Sequence, residues 1–262
     1  MKSWWGHFNI AEAGSIKKQI GPLSLVVRQE PGEWRIYYDR SAEWLETQAD
    51  QEDTSLEQFR VCDETLKERY VLHDTPQYVD LVPALADRSV VIQPEKPFYI
   101  PAQQHATLFI SSPLWVKIAY DDGENMLTEI PIIRPSDTWF GPNTMEGESC
   151  YASRTSARMS AHDLPRRFHR AITPVQIYNE STSHLLLERI NLPVPYLDLY
   201  EAVNEQLWTQ AVKMVKDKNE VTAGLEILPG PPPQIQEAKL AAAAREKIGE
   251  YTIIRKISGF FA

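Results

Sequence analysis

The fold class follows first from residues 23–39, which read LSLVVRQEPGEWRIYYD. Apolar side chains occupy alternate positions before the Pro31-Gly32 pair and again after it. An apolar residue at every second position predicts a half-buried strand, and a Pro-Gly pair is typical of the turn between two strands. We therefore expect an antiparallel hairpin over 23–39.

Similar short runs, rich in β-branched and aromatic residues, continue along the chain. They cover residues 89–92, 98–100, 107–111, 114–120, 127–133, 175–178 and 185–192. Prolines and turn sequences separate them, and several short strands at a spacing of roughly ten residues are typical of sandwiches and barrels. The sequence predicts a mainly β protein, an antiparallel β-sandwich of jelly-roll or immunoglobulin-like type, or two packed sandwiches.

Two segments are harder to assign. Residues 41–69 are acidic and poor in apolar side chains, which indicates one or two short exposed helices or a long loop. Residues 207–215 could form a helix, or they could pair with 221–228 as a hairpin. We favour the hairpin, because the residues in both arms are largely compatible with strands.

A proline-rich run at 229–233 is expected to form a stiff spacer. After it, residues 234–247 include Ala241-Ala242-Ala243-Ala244, which predicts a C-terminal α-helix ending at Gly249. The expected organisation is a hairpin with an acidic segment over 1–84, a β-sandwich domain over 85–228, and a spacer with a helical tail over 229–262.

The charge balance narrows the range of partners. The chain of 262 residues has 27 basic and 36 acidic side chains, a net charge of −9, which argues against non-specific nucleic-acid binding. The sequence contains no apolar run as long as a signal peptide core or a transmembrane segment, so we expect a cytoplasmic protein without a transmembrane segment.

Familiar catalytic patterns are absent from the sequence. It has no glycine-rich phosphate loop, no Gly-x-Ser-x-Gly elbow and no His-Glu-x-x-His motif, and its six histidines are scattered. We therefore expect no catalytic residues, no metal site and no cofactor, and a binding protein rather than an enzyme.

Residues 134–170 are the most suggestive part of the chain for a ligand. All of their basic residues are arginines, and the planar guanidinium group binds carboxylate or phosphate in a bidentate manner. One interpretation is a pocket for a small anion or a peptide. The other, which we favour, is that the arginines pair with nearby acids while Trp139 and Phe140 fill the end of a sandwich. The ligand-binding candidates are Asp137, Trp139, Arg154, Arg158, Arg166, Arg167 and His169.

The C-terminal tail is a second candidate contact region. It carries two more basic than acidic residues after Pro233, and it is apolar near its end. This apolar surface needs cover from the rest of the chain, a second subunit, a protein partner or a membrane face. The partner-contact candidates are Ile253, Ile254, Ile257, Phe260 and Phe261.

The order of segments in the centre of the chain resembles a known prokaryotic family. The matching segments are 90–94, 98–101, 112–118, 139–141, 147–151 and 175–179. Over roughly residues 85–228 the chain is similar to domain-of-unknown-function family 432. The resemblance implies no activity and no catalytic residues, and it supports the β assignment.

The leading functional hypothesis is a non-catalytic binding or regulatory module that acts through protein contacts, with a homo-oligomer expected. The alternatives are a sensor or enzyme for a small anion that uses residues 134–170, and peripheral membrane contact through the tail.

Overall fold

A computed structural model describes most of the chain. The described residues are 4–11, 13–40, 61–62, 64–73, 76–141, 145–155, 158–161, 164–218, 222–247 and 253–256, with the backbone alone for Thr155, Thr222 and 253–256. Residues 41–60, on which most of the prediction for the acidic segment falls, lie outside these ranges. At the end of that segment, Leu66–Val71 forms a strand, so the helix or loop predicted over 41–69 is wrong there.

The mainly β prediction is confirmed, but the predicted C-terminal α-helix is wrong. The regular elements with described bounds are β-strands and the 3-10 turn Val194–Tyr196, and the described residues contain no α-helix. Lys239–Ala242, inside the predicted helix, is a strand that pairs with Leu199–Glu201. Helix propensities differ by less than about 1 kcal/mol per residue, so pairing with a distant strand outweighs the local preference of the alanines.

The chain divides into two compact units. The first consists of Met1–Ala84, Pro113–Arg134 and Arg166–His169, and the second consists of Leu85–Ser112, Pro135–Pro165 and Arg170–Ala262.

The first unit contains two four-stranded sheets in which every pairing is antiparallel. One sheet has the order β1 (Gly6–Asn9), β6 (Tyr78–Ala84), β10 (Trp115–Tyr120), β11 (Asn125–Pro131). The other has the order β2 (Ser15–Ile20), β3 (Leu23–Glu30), β4 (Glu33–Arg40), β5 (Leu66–Val71).

The hairpin predicted over 23–39 is confirmed as β3 and β4. Gly32 lies in the turn at φ 75°, a conformation that glycine adopts without the steric cost of a side chain. Leu25, Val27 and Ile36 lie on one face of this sheet and are fully buried, as the alternation predicts.

The second unit contains the remaining strands, in three sheets. A four-stranded sheet has the order β12 (Ser136–Phe140), β13 (Glu148–Thr155), β7 (Val90–Pro94), β16 (Ile190–Leu192). A larger sheet has the order β21 (Lys239–Ala242), β17 (Leu199–Glu201), β18 (Leu207–Thr209), β14 (Arg170–Asn179), β19 (Val212–Lys216), β20 (Thr222–Ile227), β22 (Ile253–Lys256), with β9 (Gln104–Pro113) also paired to β14. A two-stranded sheet joins β15 (Leu185–Leu187) to β8 (Phe98–Ile100).

The second unit departs from the purely antiparallel prediction. Strand β7 is parallel to β13, and β14 is parallel to both β18 and β19. Parallel partners need a long crossover connection, so they are distant in sequence and leave no hairpin signal.

The hairpin favoured near the C-terminus is confirmed between β19 and β20. Its first arm is shorter than predicted, because Leu207–Thr209 forms a separate strand that pairs with β14. The chain after the proline run adds strands β21 and β22 to the large sheet.

Candidate functional site

The ligand-binding candidates from the sequence fall into both units. Asp137, Trp139, Arg154 and Arg158 belong to the second unit. Arg166, Arg167 and His169 belong to the first.

In the first unit, His169 is a packed core residue. Its ring is buried against Gly21, where an added Cβ would lie 2.7 Å from the His169 Cγ. The backbone carbonyl of His169 accepts a hydrogen bond from the Leu114 N–H at 3.0 Å. Arg166 is exposed, with its guanidinium 5.9 Å from the centre of the Phe168 ring, and Arg167 is half-buried. Of these three candidates, only His169 is thus a packed core side chain.

In the second unit, strand register separates the candidates further. Asp137 is opposite Tyr151 and Trp139 is opposite Ser149, so these four residues share one face of the β12–β13 hairpin. Arg154 is exposed and projects from the other face of β13. Arg158 is exposed, and its carbonyl accepts a hydrogen bond from the Phe109 N–H at 2.8 Å.

Asp137 has an arginine partner that the sequence did not indicate. The Arg88 Nη1 lies 3.2 Å from the Asp137 Oδ1 and 3.2 Å from the Ser149 Oγ. Both charged side chains are exposed, and an ion pair in water contributes only up to about 1 kcal/mol of stability. The pair therefore orients the guanidinium more than it stabilises the fold.

Tyr151 lies beneath this guanidinium. The Arg88 Cζ is 5.2 Å from the centre of the Tyr151 ring, within the range of a cation–π contact. The Tyr151 hydroxyl donates to the Asp87 Oδ1 at 3.0 Å. Burial raises the pKa of Tyr151, and the hydrogen bond to Asp87 raises it further, so the phenol stays protonated at neutral pH.

Arg245 fixes the segment that carries Asp87 and Arg88. Its Nε donates to the Leu85 carbonyl at 2.7 Å. Burial lowers the pKa of Arg245, while the nearby Asp87 carboxylate opposes this effect, and an arginine remains charged throughout the physiological range.

Trp139 is the large apolar side chain of this face, and it is 43% exposed. Gly147 provides room for the indole, because a Cβ added there would lie 2.6 Å from the Trp139 Nε1. Met145, two residues earlier in the same hairpin loop, is 93% exposed. Phe140, which was expected to fill the end of a sandwich together with Trp139, is buried, whereas Trp139 is not.

The opposite face of the hairpin supports this arrangement. Phe140 packs with Val91 and Cys150 in a small buried cluster. The Asn191 amide donates to the Glu148 Oε1 at 2.6 Å and so joins β16 to β13. The exposed indole therefore projects from a hairpin whose other side is packed.

We call the set Asp87, Arg88, Asp137, Trp139 and Tyr151 the Trp139 surface. The sequence indicated Asp137 and Trp139, and it missed Asp87, Arg88, Tyr151 and the supporting Arg245. Arg88 is 49 residues from Asp137, and Arg245 is 160 residues from Leu85, so no local spacing could have revealed these contacts.

The chemistry of the Trp139 surface is suited to binding. It combines aromatic rings and a guanidinium group, which are enriched at protein interfaces, with two carboxylates that bind and orient them. Within the described ranges, no group of three His, Cys, Asp or Glu residues could hold a metal ion.

The tail candidates are described only in part. Ile253 and Ile254 lie in strand β22, whose backbone pairs with β20. Ile257, Phe260 and Phe261 lie outside the described residues. Contact of the tail with a partner or a membrane, and binding of a small anion by residues 134–170, both stay predictions.

No helix in the described part of the chain is long and apolar enough to cross a membrane.

The comparisons with known proteins identify one family. A family model described as "Protein of unknown function (DUF432)" matches residues 4–260, a longer span than the 85–228 expected from the sequence. No curated protein and no solved structure matches the chain.

Proposed function

The chain belongs to the DUF432 family of proteins of unknown function, and from that premise we propose that it is a non-catalytic binding module that self-associates through the Trp139 surface. The observation that carries the proposal is the exposed indole of Trp139 on a packed hairpin, beside an oriented guanidinium. Exposed tryptophan and arginine are the residue types that contribute most to binding at protein interfaces.

The local charge of the Trp139 surface permits a second copy of the chain as the partner. The net charge of −9 makes two copies repel each other over most of their surface. The Trp139 surface with Arg245 has two carboxylates, Asp87 and Asp137, and two guanidinium groups, so it is locally neutral. In a two-fold symmetric contact, Arg88 of each copy can meet an acidic group of the other, as self-complementary interfaces require.

We expect the two copies to associate through side chains, and not by adding a strand of one copy to the sheet of the other. Strand β12 is at the edge of its sheet, where unpaired backbone groups could accept another strand. However, the Arg189 guanidinium donates to the Trp139 carbonyl at 2.9 Å and lies 5.0 Å from the centre of the Phe140 ring. Arg189 thus occupies an edge acceptor that an added strand would use.

Sedimentation velocity over a concentration series from about 1 to 100 μM tests the proposal. We expect the wild type to approach twice its chain mass of 30.0 kDa as concentration rises. Trp139→Ala should weaken this association about 30-fold, because a central tryptophan typically contributes about 2 kcal/mol or more to an interface.

Arg154→Ala is the matched control, since Arg154 is exposed on the other face of the same hairpin. The proposal fails if the wild type stays monomeric across the series, or if Arg154→Ala weakens association as much as Trp139→Ala.

We further propose a cytoplasmic location, which rests on the composition of the sequence.

A further inference from the structure

A second surface with a different chemistry lies on the sheet β2-β3-β4-β5 of the first unit. Arg28 is directly opposite Arg35, and Arg35 is directly opposite Arg69. Three arginines from three adjacent strands therefore form one row on one face, which we call the arginine row. With strands about 4.8 Å apart, the row spans about 10 Å at the backbone.

The neighbouring strand extends the same basic face. Lys17 in β2 is opposite Val26, two residues from Arg28 in β3, so it lies on this face diagonally from the row. Lys17 is exposed. Each of the four strands thus contributes one basic side chain to a single face.

Two carboxylates accompany the row. The Glu33 carboxylate lies 2.6 Å from the Arg35 Nε and 2.6 Å from the Arg69 Nη2. The Glu30 Oε1 lies 2.9 Å from the Arg28 Nε. Because Arg69 and Arg35 both donate hydrogen bonds to Glu33, the pKa of this carboxyl is lowered, and it is ionised at neutral pH.

The carboxylates are less exposed than the arginines. The side chain of Glu33 is 9% exposed, whereas those of Arg28, Arg35 and Arg69 are 43%, 34% and 57% exposed. With Lys17, four basic side chains share this face with three acidic ones, Glu30, Glu33 and the exposed Asp39 opposite Ser24. At the row itself, solvent meets mainly guanidinium groups. The face is therefore locally positive on a chain whose net charge is −9.

Direct juxtaposition of like charges in a sheet is unfavourable. The two glutamates offset only part of this repulsion, because three guanidinium groups share two carboxylates. Glu33 shows what the row can bind, because one carboxylate is already held between two of its guanidinium groups.

We propose that the arginine row and Lys17 bind a carboxylate-rich, acidic segment of a partner protein. This inference is independent of the Trp139 surface, which lies in the other unit. Successive outward side chains of an extended peptide are about 6.8 Å apart, so alternating glutamates can reach neighbouring members of the row. Guanidinium groups bind carboxylates in a bidentate manner.

A single-stranded nucleic acid fits this face less well. Proteins that bind single strands usually offer exposed aromatic side chains on which the bases stack. Tyr37, which lies opposite Val26 on the face of the row, is buried. The net charge of −9 also repels a long polyanion, whereas a short acidic segment meets mostly the local positive face.

Fluorescence anisotropy with the full chain tests this inference. The probe is a labelled peptide of about twelve alternating glutamate and serine residues, long enough to span the row. We expect saturable binding at low salt, and we expect the double variant Arg28→Gln/Arg69→Gln to weaken it at least about tenfold.

The double variant Arg154→Gln/Lys218→Gln is the matched control, because it removes the same charge from two exposed positions of the second unit. It should change peptide affinity less than about twofold. Since Arg69→Gln removes a partner of Glu33, circular dichroism and the single variant Arg28→Gln accompany the test. Arg28→Gln should keep the fold and still weaken binding.

Three outcomes would overturn the inference. They are absence of peptide binding, equal weakening by the two double variants, and tighter binding of an oligothymidylate of the same length than of the glutamate peptide. The last outcome would indicate a nucleic-acid surface instead.

Discussion

The arginines of the arginine row have carboxylates as partners, whereas Arg88 in the Trp139 surface has both a carboxylate and an aromatic ring. In the arginine row, Glu33 and Glu30 fix the guanidinium groups through ion pairs. In the Trp139 surface, Arg88 lies over the ring of Tyr151, and its ion pair with Asp137 is exposed and longer, at 3.2 Å. The first surface should respond to salt and acid, whereas the second should depend mainly on the shape and packing of its aromatic residues.

After Trp139→Ala, the largest expected effect comes from crowding the Trp139 indole. In Gly147→Ala the new Cβ would lie 2.6 Å from the Trp139 Nε1 and 2.6 Å from the Phe140 carbonyl oxygen, so the hairpin has to move. We expect at least about tenfold weaker self-association and a loss of about 1–3 kcal/mol in the free energy of unfolding. Sedimentation velocity and urea denaturation measure the two effects.

Gly123→Ala is a useful comparison, because Gly123 has φ 84° in the first unit with nothing within 4 Å of an added Cβ. It should cost stability through backbone strain and leave self-association unchanged. Normal association of Gly147→Ala would show that the position of the indole does not matter.

Salt should distinguish the two surfaces. Between about 50 and 500 mM sodium chloride, we expect affinity for the glutamate peptide to fall about tenfold or more, because exposed ion pairs are screened. Self-association should change less than about threefold, since apolar and aromatic contacts are screened little. Equal salt sensitivity in anisotropy and sedimentation would remove the distinction between the surfaces.

Lowering the pH should destabilise the first unit by protonating Glu33. Its pKa in the folded protein is lowered from 4.5, so its contribution to stability is present above that value and is lost as pH falls through the folded pKa. Glu33→Gln should therefore be less stable than the wild type at pH 7, and the difference should shrink in acid below the ordinary carboxyl pKa of 4.5.

Urea denaturation of the two proteins at neutral and acidic pH measures this difference. Glu226→Gln is the control, because Glu226 pairs with Lys213 at 3.3 Å on an exposed surface. A stability difference for Glu33→Gln that persists unchanged in acid would contradict a stabilising role for the ionised Glu33 carboxylate.

The smallest expected effect is that of Tyr151→Phe. This change removes the hydrogen bond to Asp87 and keeps the ring under Arg88, so we expect a loss of about 0.5–1 kcal/mol in stability and less than about twofold in association. The difference in phenolate absorbance between wild type and Tyr151→Phe should show a transition above pH 10.0, since the pKa of Tyr151 is raised from that value. A transition at or below pH 10.0 would contradict the combined effect of burial and of the hydrogen bond to Asp87.

The parts of the fold that the sequence predicts are those with local partners. Strands β3 and β4 meet across the turn at Pro31-Gly32, and β19 and β20 meet across one short loop. In both pairs, the strand pattern and the turn lie in one continuous stretch of sequence, so the alternation of apolar residues was sufficient.

The parts that the sequence missed depend on distant partners. Ala241 and Ala242, for which a helix was predicted, lie in strand β21 because this strand pairs with β17, about forty residues earlier. The register of β7 with β13 joins Val90 to Tyr151, and no local pattern encodes a parallel pair of that separation.

The same reason explains the candidate surfaces. Trp139 and Asp137 stood out in an arginine-rich stretch, but the arginine that meets Asp137 is Arg88 from the segment before β7. In the arginine row, Arg28, Arg35 and Arg69 look like ordinary exposed positions of three strands. Only the strand register places them opposite one another.

Hydrogen exchange of the full chain at low and high protein concentration tests self-association through the Trp139 surface strand by strand. We expect higher concentration to slow exchange of backbone amides in β12, β13 and residues 85–89, with no change in strands β3, β4 and β5. Slower exchange confined to β3–β5, or no dependence on concentration in β12 and β13, would contradict self-association through the Trp139 surface.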